Sequence, residues 1–287
     1  MKFNTPMVKG RFSVIVMSYN NLDYFTGCLK SILNQNYSDI EIIIADDCSK
    51  NFDFNEVFGF IEKNKKTNIT NVIISRQITN IGTVKNLNSS LVISSGEFIK
   101  CLAIDDELFD DNTLSFAAEC LSKTEDGIIA SNVQICDKNL KYMHDTNVMQ
   151  KMLNEIDHLN LYKLLCKRNF IDAVGIFETR AFFEKFGFFD ERFQLLEDWP
   201  KWLEIVKKGC KIWYFDSYTA KYRSDCGVGT GSSKKYLEDK KKAFNLYVKP
   251  YRKELGFFNY LKIRLSFYAR TSFFIRKIYG FFVRGKR

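Results

Sequence analysis

Residues 12–49 read FSVIVMSYNNLDYFTGCLKSILNQNYSDIEIIIADDCS, and this stretch decides the fold. Phe12 to Met17 is a β-branched apolar run that stops at a polar loop, Ser18-Tyr19-Asn20-Asn21. Apolar residues then recur at helical spacing through Leu33, with Phe25, Leu29, Ile32 and Leu33 on one face. A second apolar run, Ile40 to Ala45, ends in Asp46-Asp47-Cys48-Ser49. Strand, helix and strand within about 35 residues make a βαβ unit. Such a unit implies parallel strands joined by a right-handed crossover.

The alternation extends outward from there. A third strand is predicted at Asn71–Ser75, then Asn80-Ile81-Gly82, a helix from about Thr83 to Ser94, and a strand at Phe98–Ile104 that runs into Asp105-Asp106-Glu107. A helix near Asn112–Lys123 and a strand near Gly127–Cys136 follow, after which the pattern is less regular. The expected fold class is α/β, a Rossmann-like, mostly parallel sheet flanked by helices. Ligands of open parallel sheets bind at the carboxyl ends of the strands, so the loops SYNN, DDCS and DDE are expected to gather at one site.

Composition narrows the function classes. Of 287 residues, 46% are hydrophobic and 15% aromatic, which excludes a disordered or low-complexity chain. The net charge of +9 is concentrated: residues 256–287 carry eight Lys or Arg and no acid. The remainder is almost neutral and lacks the excess positive charge of a nucleic-acid-binding face. Eight cysteines lie at 28, 48, 101, 120, 136, 166, 210 and 226, with no C-x-x-C pair and no metal-ligand spacing, and a reduced, cytoplasmic setting is expected. The apolar run before Asn20 is too short for a signal peptide, and no uncharged stretch reaches the roughly 18 residues of a membrane span.

Two acidic clusters carry the chemistry. Adjacent carboxylates such as Asp105 and Asp106 suit a hard divalent cation that shares its oxygen ligands with substrate phosphates; a helix cap through Asp110 or Asp111 is the structural alternative. Glu197-Asp198 precedes Trp199-Pro200, where a helix start is expected, and both acids would there favour the macrodipole. A carboxylate beside an apolar wall is also suited to take a proton from an attacking hydroxyl. The two roles are compatible. Tyr19 is alternatively a strand-end core aromatic, Asp46 or Asp47 a turn former, and Gly82 a loop residue with positive φ.

In this order and spacing, FSVIVMSYN, IEIIIADDCS, TNIGTVKNLN, SGEFIKCLAIDDE and LEDWPKW resemble the inverting nucleotide-sugar glycosyltransferases of family 2, which have the A-type glycosyltransferase fold. The resemblance covers roughly residues 10 to 225. It implies transfer of a sugar from a nucleoside diphosphate donor, most simply UDP-linked, to a hydroxyl of a surface glycan or lipid-linked acceptor, assisted by Mg2+ or Mn2+. It places Tyr19 and Asn20 at the base-binding wall, with Asp47 accepting a hydrogen bond from the base. It puts Asn80, Gly82 and Lys85 in the donor-binding stretch, with Lys85 at the diphosphate. Asp105 falls at the ribose or the metal's water shell, Asp106 is the metal ligand, Asp198 the catalytic base, and Glu197 a residue that positions the acceptor. Gly175–Phe189 would form the acceptor wall, and Asp225–Gly231 a loop closing over the diphosphate. The chain departs from the family's commonest metal motif, since Ala103 stands where many relatives carry the first carboxylate. Two rivals are a catalytically inactive nucleotide-sugar binder and a nucleotidyltransferase, although SYNN lacks the glycine-rich, basic character of a nucleotidyltransferase loop.

The expected domain plan is a glycosyltransferase domain over 1–225, a loop and helical extension over 226–255, and a basic amphipathic tail over 256–287. On a helical wheel, Lys262, Arg270, Arg276, Lys277 and Arg284 fall in one arc, largely opposite Leu261, Leu265, Tyr268, Ile275, Ile278, Tyr279 and Phe282. That pattern points to a peripheral anchor on an anionic membrane surface at the inner face of the cell membrane. A helix docked on the domain or on a second subunit is the alternative. The catalytic blocks end before residue 256, so the tail is expected to be dispensable for the donor site.

Overall fold

In the computed structural model, which describes residues 1–146, 148–224, 226 and 233–271, strand β1 (Val8–Ser18) is the axis of a nine-stranded sheet. It pairs in parallel with β2 (Ile40–Asp46) on one side and β4 (Gly96–Ala103) on the other, and β3 (Ile69–Arg76) lies beyond β2. Phe12, Val14, Ile15 and Val16 are fully buried, as expected of a parallel strand covered on both faces, and this explains the unbroken apolar run. The register sets Ser18 opposite Asp46 and Met17 opposite Ala103. The three polar loops therefore leave the sheet at one edge.

The rest of the sheet is mixed. β8 (Ile176–Thr179) runs antiparallel to β4 and to β6 (Ile128–Cys136), β6 is parallel to β9 (Trp213–Arg223), and the two-residue β5 (Glu107–Leu108) closes the order against β9. β7 (Tyr142–Asp145) pairs with β6. Strands of two to four residues such as β5, β7 and β8 show too little of the two-residue period to be read from sequence.

Two apolar layers cover the sheet. On one face pack α1 (Phe25–Leu33), α2 (Phe54–Asn64) and α4 (Thr113–Leu121), burying Phe25, Leu29, Ile32, Val57, Ile61 and Leu114. The sequence reading passed over α2, although Asp53 caps it through the Asn55 and Glu56 amides at 2.8 and 3.1 Å. On the other face lie α3 (Thr83–Ile93), α5 (His158–Lys167), α6 (Arg180–Phe186) and α7 (Asp198–Lys207), with Leu87, Leu91, Leu165, Phe183, Trp202 and Leu203 in the core. At the edge away from the polar loops, the buried Glu41 carboxylate accepts from Ser13 Oγ (2.5 Å), Ser95 N (2.9 Å), Ser95 Oγ (2.7 Å) and Asn71 Nδ2 (2.9 Å). Those four donors satisfy a charge that burial would otherwise penalise heavily.

The C-terminal helices return to the second face. α8 (Lys234–Ala243) passes through a π-helical turn, Phe244–Val248, and the single-turn α9 (Arg252–Leu255) leads into α10 (Phe257–Thr271). α10 buries Ile263, Phe267 and Thr271. The Phe267 ring stacks on Phe244 at 4.4 Å and on Trp199 at 6.3 Å between centroids. Residues 257–271 are thus docked on the domain, and residues 272–287 of the basic tail lie outside the described residues. Truncating a buried, stacked phenylalanine costs about 3–5 kcal/mol, so Phe267→Ala should lower the free energy of unfolding in urea by about 3 kcal/mol. A loss below about 1 kcal/mol would show that α10 does not dock.

Candidate active site

The three loop edges and the second helical layer enclose a cavity of about 860 Å3, within the size range of small-ligand sites. Tyr19, 38% exposed, stands on its rim, and Asp47, Asn80, Gly82, Asp105, Asp106, Glu197 and Asp198 all line it. Two of the expected site residues are not among its lining. Asn20, at φ +61°, is used between loops: its amide donates to Ser49 Oγ at 2.8 Å and its Oδ1 accepts from Lys50 N at 3.0 Å. Lys85 points to solvent from α3, because Val84, Asn86 and Leu87 occupy that helix's buried side.

The Asp47 carboxylate is engaged by the protein itself. It accepts from Ile81 N at 2.7 Å, Gly82 N at 2.9 Å and Asn80 Nδ2 at 2.8 Å. Its expected contact with a base therefore competes with a structural one, the clamping of the Asn80–Gly82 loop. Gly82 sits at φ +88°, and a Cβ there would lie 2.5 Å from Gln194 Cγ and 2.8 Å from Gln194 O, so both conformation and space require glycine. Asp46 is the turn former: it receives Ser49 N at 3.0 Å and pairs with Arg76 Nε at 3.3 Å. Farther along the same block, Asn86 Nδ2 donates to Ala45 O at 2.8 Å, and Asn88 exchanges bonds with the Phe189 main chain at 2.8 and 3.0 Å. These asparagines hold α3 against the strand ends.

Asp105 and Asp106 are buried at the end of β4, and burial raises both, Asp106 strongly and with the Asp105 charge adding to it. Among the described residues no side chain donates to either carboxylate, and Asp106 Oδ1 accepts from Arg223 N at 3.0 Å. The Arg223 guanidinium is directed elsewhere, to the Asp105 carbonyl and, at 2.8 Å, to Glu107 Oε1. Among the described residues no group of three acidic, histidine or cysteine side chains is arranged to hold a metal. Two hard carboxylates with open oxygens nevertheless fit a divalent ion whose other ligands are phosphate and water.

Glu197 and Asp198 open α7 and differ in their partners. Asp198 Oδ1 accepts from Trp199 N at 2.6 Å and Oδ2 from Asn169 Nδ2 at 2.7 Å. Burial raises Asp198, and these two donors oppose that rise. Glu197 is opposed only by its own main-chain amide, and burial and then the Asp198 charge push it up to about 8. The donors favour the ionised form of Asp198, while burial and the neighbouring charge favour the protonated form of Glu197. Asp172 lies near enough to sense Asp198 and is pushed up to about 6, mainly by burial.

Residues that the sequence reading did not assign complete the wall. Arg168, Asn169 and Asp172 follow α5, Lys235, Tyr236 and Lys240 come from α8, and Phe267 and Thr271 from α10. Asp239 fastens α8 to the loop before Glu197 by accepting from Gln194 N at 2.9 Å and Leu195 N at 2.7 Å. Ser233, which caps α8 through Tyr236 N at 3.2 Å, and the lysine-rich run after it were the local signals for this helix. Of the glycine-rich loop expected to close over a diphosphate, Asp225 and residues 227–231 lie outside the described residues.

A mixed sheet curled against helices, with acidic loops at one edge, is the A-type glycosyltransferase fold. The family described as glycosyl transferase family 2 matches residues 13–186, more than half of the chain, and the protein belongs to that family. It is 27% identical over 220 residues to an uncharacterised glycosyltransferase of Rickettsia typhi, covering 75% of this chain and 64% of that protein. It spans only 27% of a similar Rickettsia bellii protein. A PGL/p-HBAD biosynthesis glycosyltransferase of Mycobacterium tuberculosis is 26% identical over 195 residues, covering 67% of this chain and 68% of that protein. Among solved structures, Staphylococcus aureus TarS 1–349 in complex with UDP aligns with a TM-score of 0.57 at 21% identity, over 81% of this chain and 64% of that one. The Pyrobaculum calidifontis mannosyltransferase PcManGT, in complex with GDP-Man and Mn2+, aligns at 0.64 with 15% identity, over 94% and 75% of the two chains. At these identities the structural likeness is one of fold.

If Asp47 organises the 80–82 loop, Asp47→Ala should leave the fold intact but speed hydrogen exchange at the Ile81 and Gly82 amides by about tenfold or more. Unchanged protection at those two amides would show that the clamp is not needed.

Proposed function

We propose that this glycosyltransferase moves a sugar from a UDP-linked donor to a hydroxyl of a glycan or lipid-linked acceptor, inverting the anomeric centre in one displacement. The observation that carries the reading is the unequal acid pair: Asp198 held by two N–H donors beside Glu197, which burial pushes up to about 8, in the cavity that also holds Asp105 and Asp106. Asp198 takes the acceptor's O–H proton as that oxygen attacks the anomeric carbon, and the bond to the diphosphate breaks on the opposite face. Glu197, as a neutral acid, can donate a hydrogen bond to the acceptor or the sugar. Tyr19 and the Asn80–Gly82 loop hold the nucleotide. The basic side chains of α8 face the cavity where the diphosphate's charge would lie. A Mg2+ or Mn2+ ion, held by Asp106 with Asp105 beside it, supplies charge neutralisation for the departing diphosphate when bound.

A lipid-linked acceptor agrees with the surface of α10. While Ile263 and Phe267 face inward, Phe257 (74% exposed), Phe258 (77%) and Leu265 (63%) face outward beside the exposed Lys262 and Arg264. An apolar face with flanking bases suits the headgroup region of an anionic leaflet. Among the described residues no helix is long and apolar enough to cross a membrane. Contact through this face of α10 would make the protein a peripheral enzyme of an anionic membrane surface.

UDP release from a panel of UDP-sugars, with and without EDTA, tests the activity. Asp198→Asn should lower turnover by roughly a hundredfold or more, the scale of a lost general base, while UDP affinity stays within about twofold. In the parent, the rate should fall on acidification at a pH above the ordinary aspartate value of about 3.9, because protonated Asp198 cannot accept. Nucleotide binding without turnover in the parent would instead identify an inactive binder, and full turnover in EDTA would exclude the metal. Flotation tests the anchor: the full chain should rise with anionic vesicles and less so in high salt, whereas a Phe257→Ser, Phe258→Ser, Leu265→Ser variant should remain behind. Equal flotation of both proteins would remove α10 as the contact.

A further inference from the structure

Asp198 is held from a second element of the fold. Helix α5 ends at Lys167, and Arg168 leaves it with extended backbone, φ −162° and ψ 136°. An α-helix leaves its last four carbonyls without intrahelical donors, and Leu165 O, one of these, accepts from Trp199 Nε1 at 2.8 Å. Just past that helix end, Asn169 Nδ2 donates to Asp198 Oδ2 at 2.7 Å. Two successive residues of α7 are therefore tied to the same end of α5. Phe170 and Ile171, both buried, root the segment in the core, while Asn169 lines the cavity.

The Asn169 amide has one favourable orientation. Its Oδ1 accepts from Ile171 N at 3.4 Å while its Nδ2 meets the carboxylate. Turned over, it would set oxygen against the carboxylate oxygen and NH2 against a backbone N–H, replacing two attractions by two repulsions. The carboxylate for its part needs an external constraint, because the terminal torsion of an aspartate is broad and roughly two-fold. Trp199 N holds Oδ1 at 2.6 Å and Asn169 holds Oδ2, so bonds to both oxygens define the plane of the group. A carboxylate has about four acceptor sites, and these bonds leave room for a substrate hydroxyl.

We propose that Asn169 is a positioning residue for sugar transfer: its side-chain amide sets the plane in which the Asp198 carboxylate receives the acceptor's hydroxyl proton. The assignment rests on the reading of Asp198 as the base. A donor to the ionised carboxylate also favours that form over the acid. Burial raises Asp198, and the Trp199 amide, Asn169 and Lys240 oppose the rise. Of these three, Asn169 alone can be replaced without touching the main chain or a charge. The other titratable groups that bear on Asp198 are Glu197 on its own helix, Asp172 after α5 and Tyr236 on α8, with Arg168, Tyr222 and Asp239 acting on these in turn. α10 contributes only Phe267 and Thr271 to the cavity, and neither titrates. All of these charges remain when Asn169 is substituted, so a change in Asp198 reports the loss of the amide.

The test is an NMR titration of the full chain carrying 13C-labelled aspartate, the Asp198 carboxyl signal being assigned by its loss in Asp198→Asn. Asn169→Leu, which keeps the bulk and removes both amide groups, should raise the Asp198 midpoint by about one pH unit or more. Asn169→Ala should raise it in the same direction, and decides the matter if the leucine variant does not fold. UDP release from UDP-glucose, UDP-galactose and UDP-N-acetylglucosamine gives the second readout. With whichever donor the parent uses, the acidic limb of the kcat/KM profile should move up in pH by the same interval, because the rate is lost where Asp198 takes up its proton. At neutral pH kcat should fall about tenfold or more while KM for the donor stays within about twofold. A variant that melts at lower temperature with an unchanged Asp198 midpoint and an unmoved acidic limb has lost only a structural contact, and that result overturns the assignment alone. If Asp198→Asn keeps turnover within a few-fold of the parent, or the parent uses none of the donors, the reading of Asp198 as the base falls first and the role of Asn169 falls with it.

Discussion

Buried carboxyl groups around a single cavity are the constraint to which the surrounding structure answers. An unpaired charge removed from water is so unfavourable that it must find donors, attract a cation or take up a proton, and each acid here meets that demand differently. Asp47 is satisfied by three donors from one loop, and Asp198 by a backbone amide and an asparagine. Glu197 becomes neutral. Among the described residues Asp105 and Asp106 receive no side-chain donor, only main-chain amides such as Arg223 N. The chemical division of labour in the cavity follows from this unequal supply of donors.

Arg223 shows how the distant half of the sheet enters the same balance. It stands at the end of β9, its guanidinium over the Tyr24 ring at 4.8 Å and bonded to Glu107, while its backbone amide meets Asp106. Because Glu107 and the Asp105 carbonyl take the guanidinium, that cation acts on the two aspartates through its charge and not through a hydrogen bond to their carboxylates. Asp239 does the equivalent work on the other side, tying α8 to the segment that delivers Glu197 and Asp198. The position of each acid is thereby fixed by an element far from it in sequence.

The parallel core was legible in the sequence because a strand buried on both faces is apolar at nearly every position; in FSVIVM and IEIIIA only Ser13 and Glu41, which bond each other, depart from that rule. The acidic cluster at β4 and the Glu-Asp pair at α7 were legible for the opposite reason, as polar residues where apolar ones would pack. What could not be read depends on contacts across long separations. Nothing local marks Asp47 as the partner of amides 34 and 35 residues away, or places Lys240 at the cavity and Lys85 outside it. In α10 the period of the helix was visible, but which side met the protein was not. Charge and interleaved aromatics suggested a membrane-facing segment, with a docked helix as the alternative, and the buried side is Ile263 and Phe267.

The position of α10 also has a consequence for the order in which the molecule is built. Chains are synthesised from the N-terminus, and early segments can begin to fold while later ones are still being added. The loops after β1, β2 and β4 can therefore take their places before residues 257–271 exist, and the side of the cavity that carries Asp198 is covered only when Phe267 settles on Trp199 and Phe244. A nascent chain can thus have the loops after β1, β2 and β4 assembled while its acid pair is still open to water on that flank, and closure of the cavity waits for the last helix among the described residues.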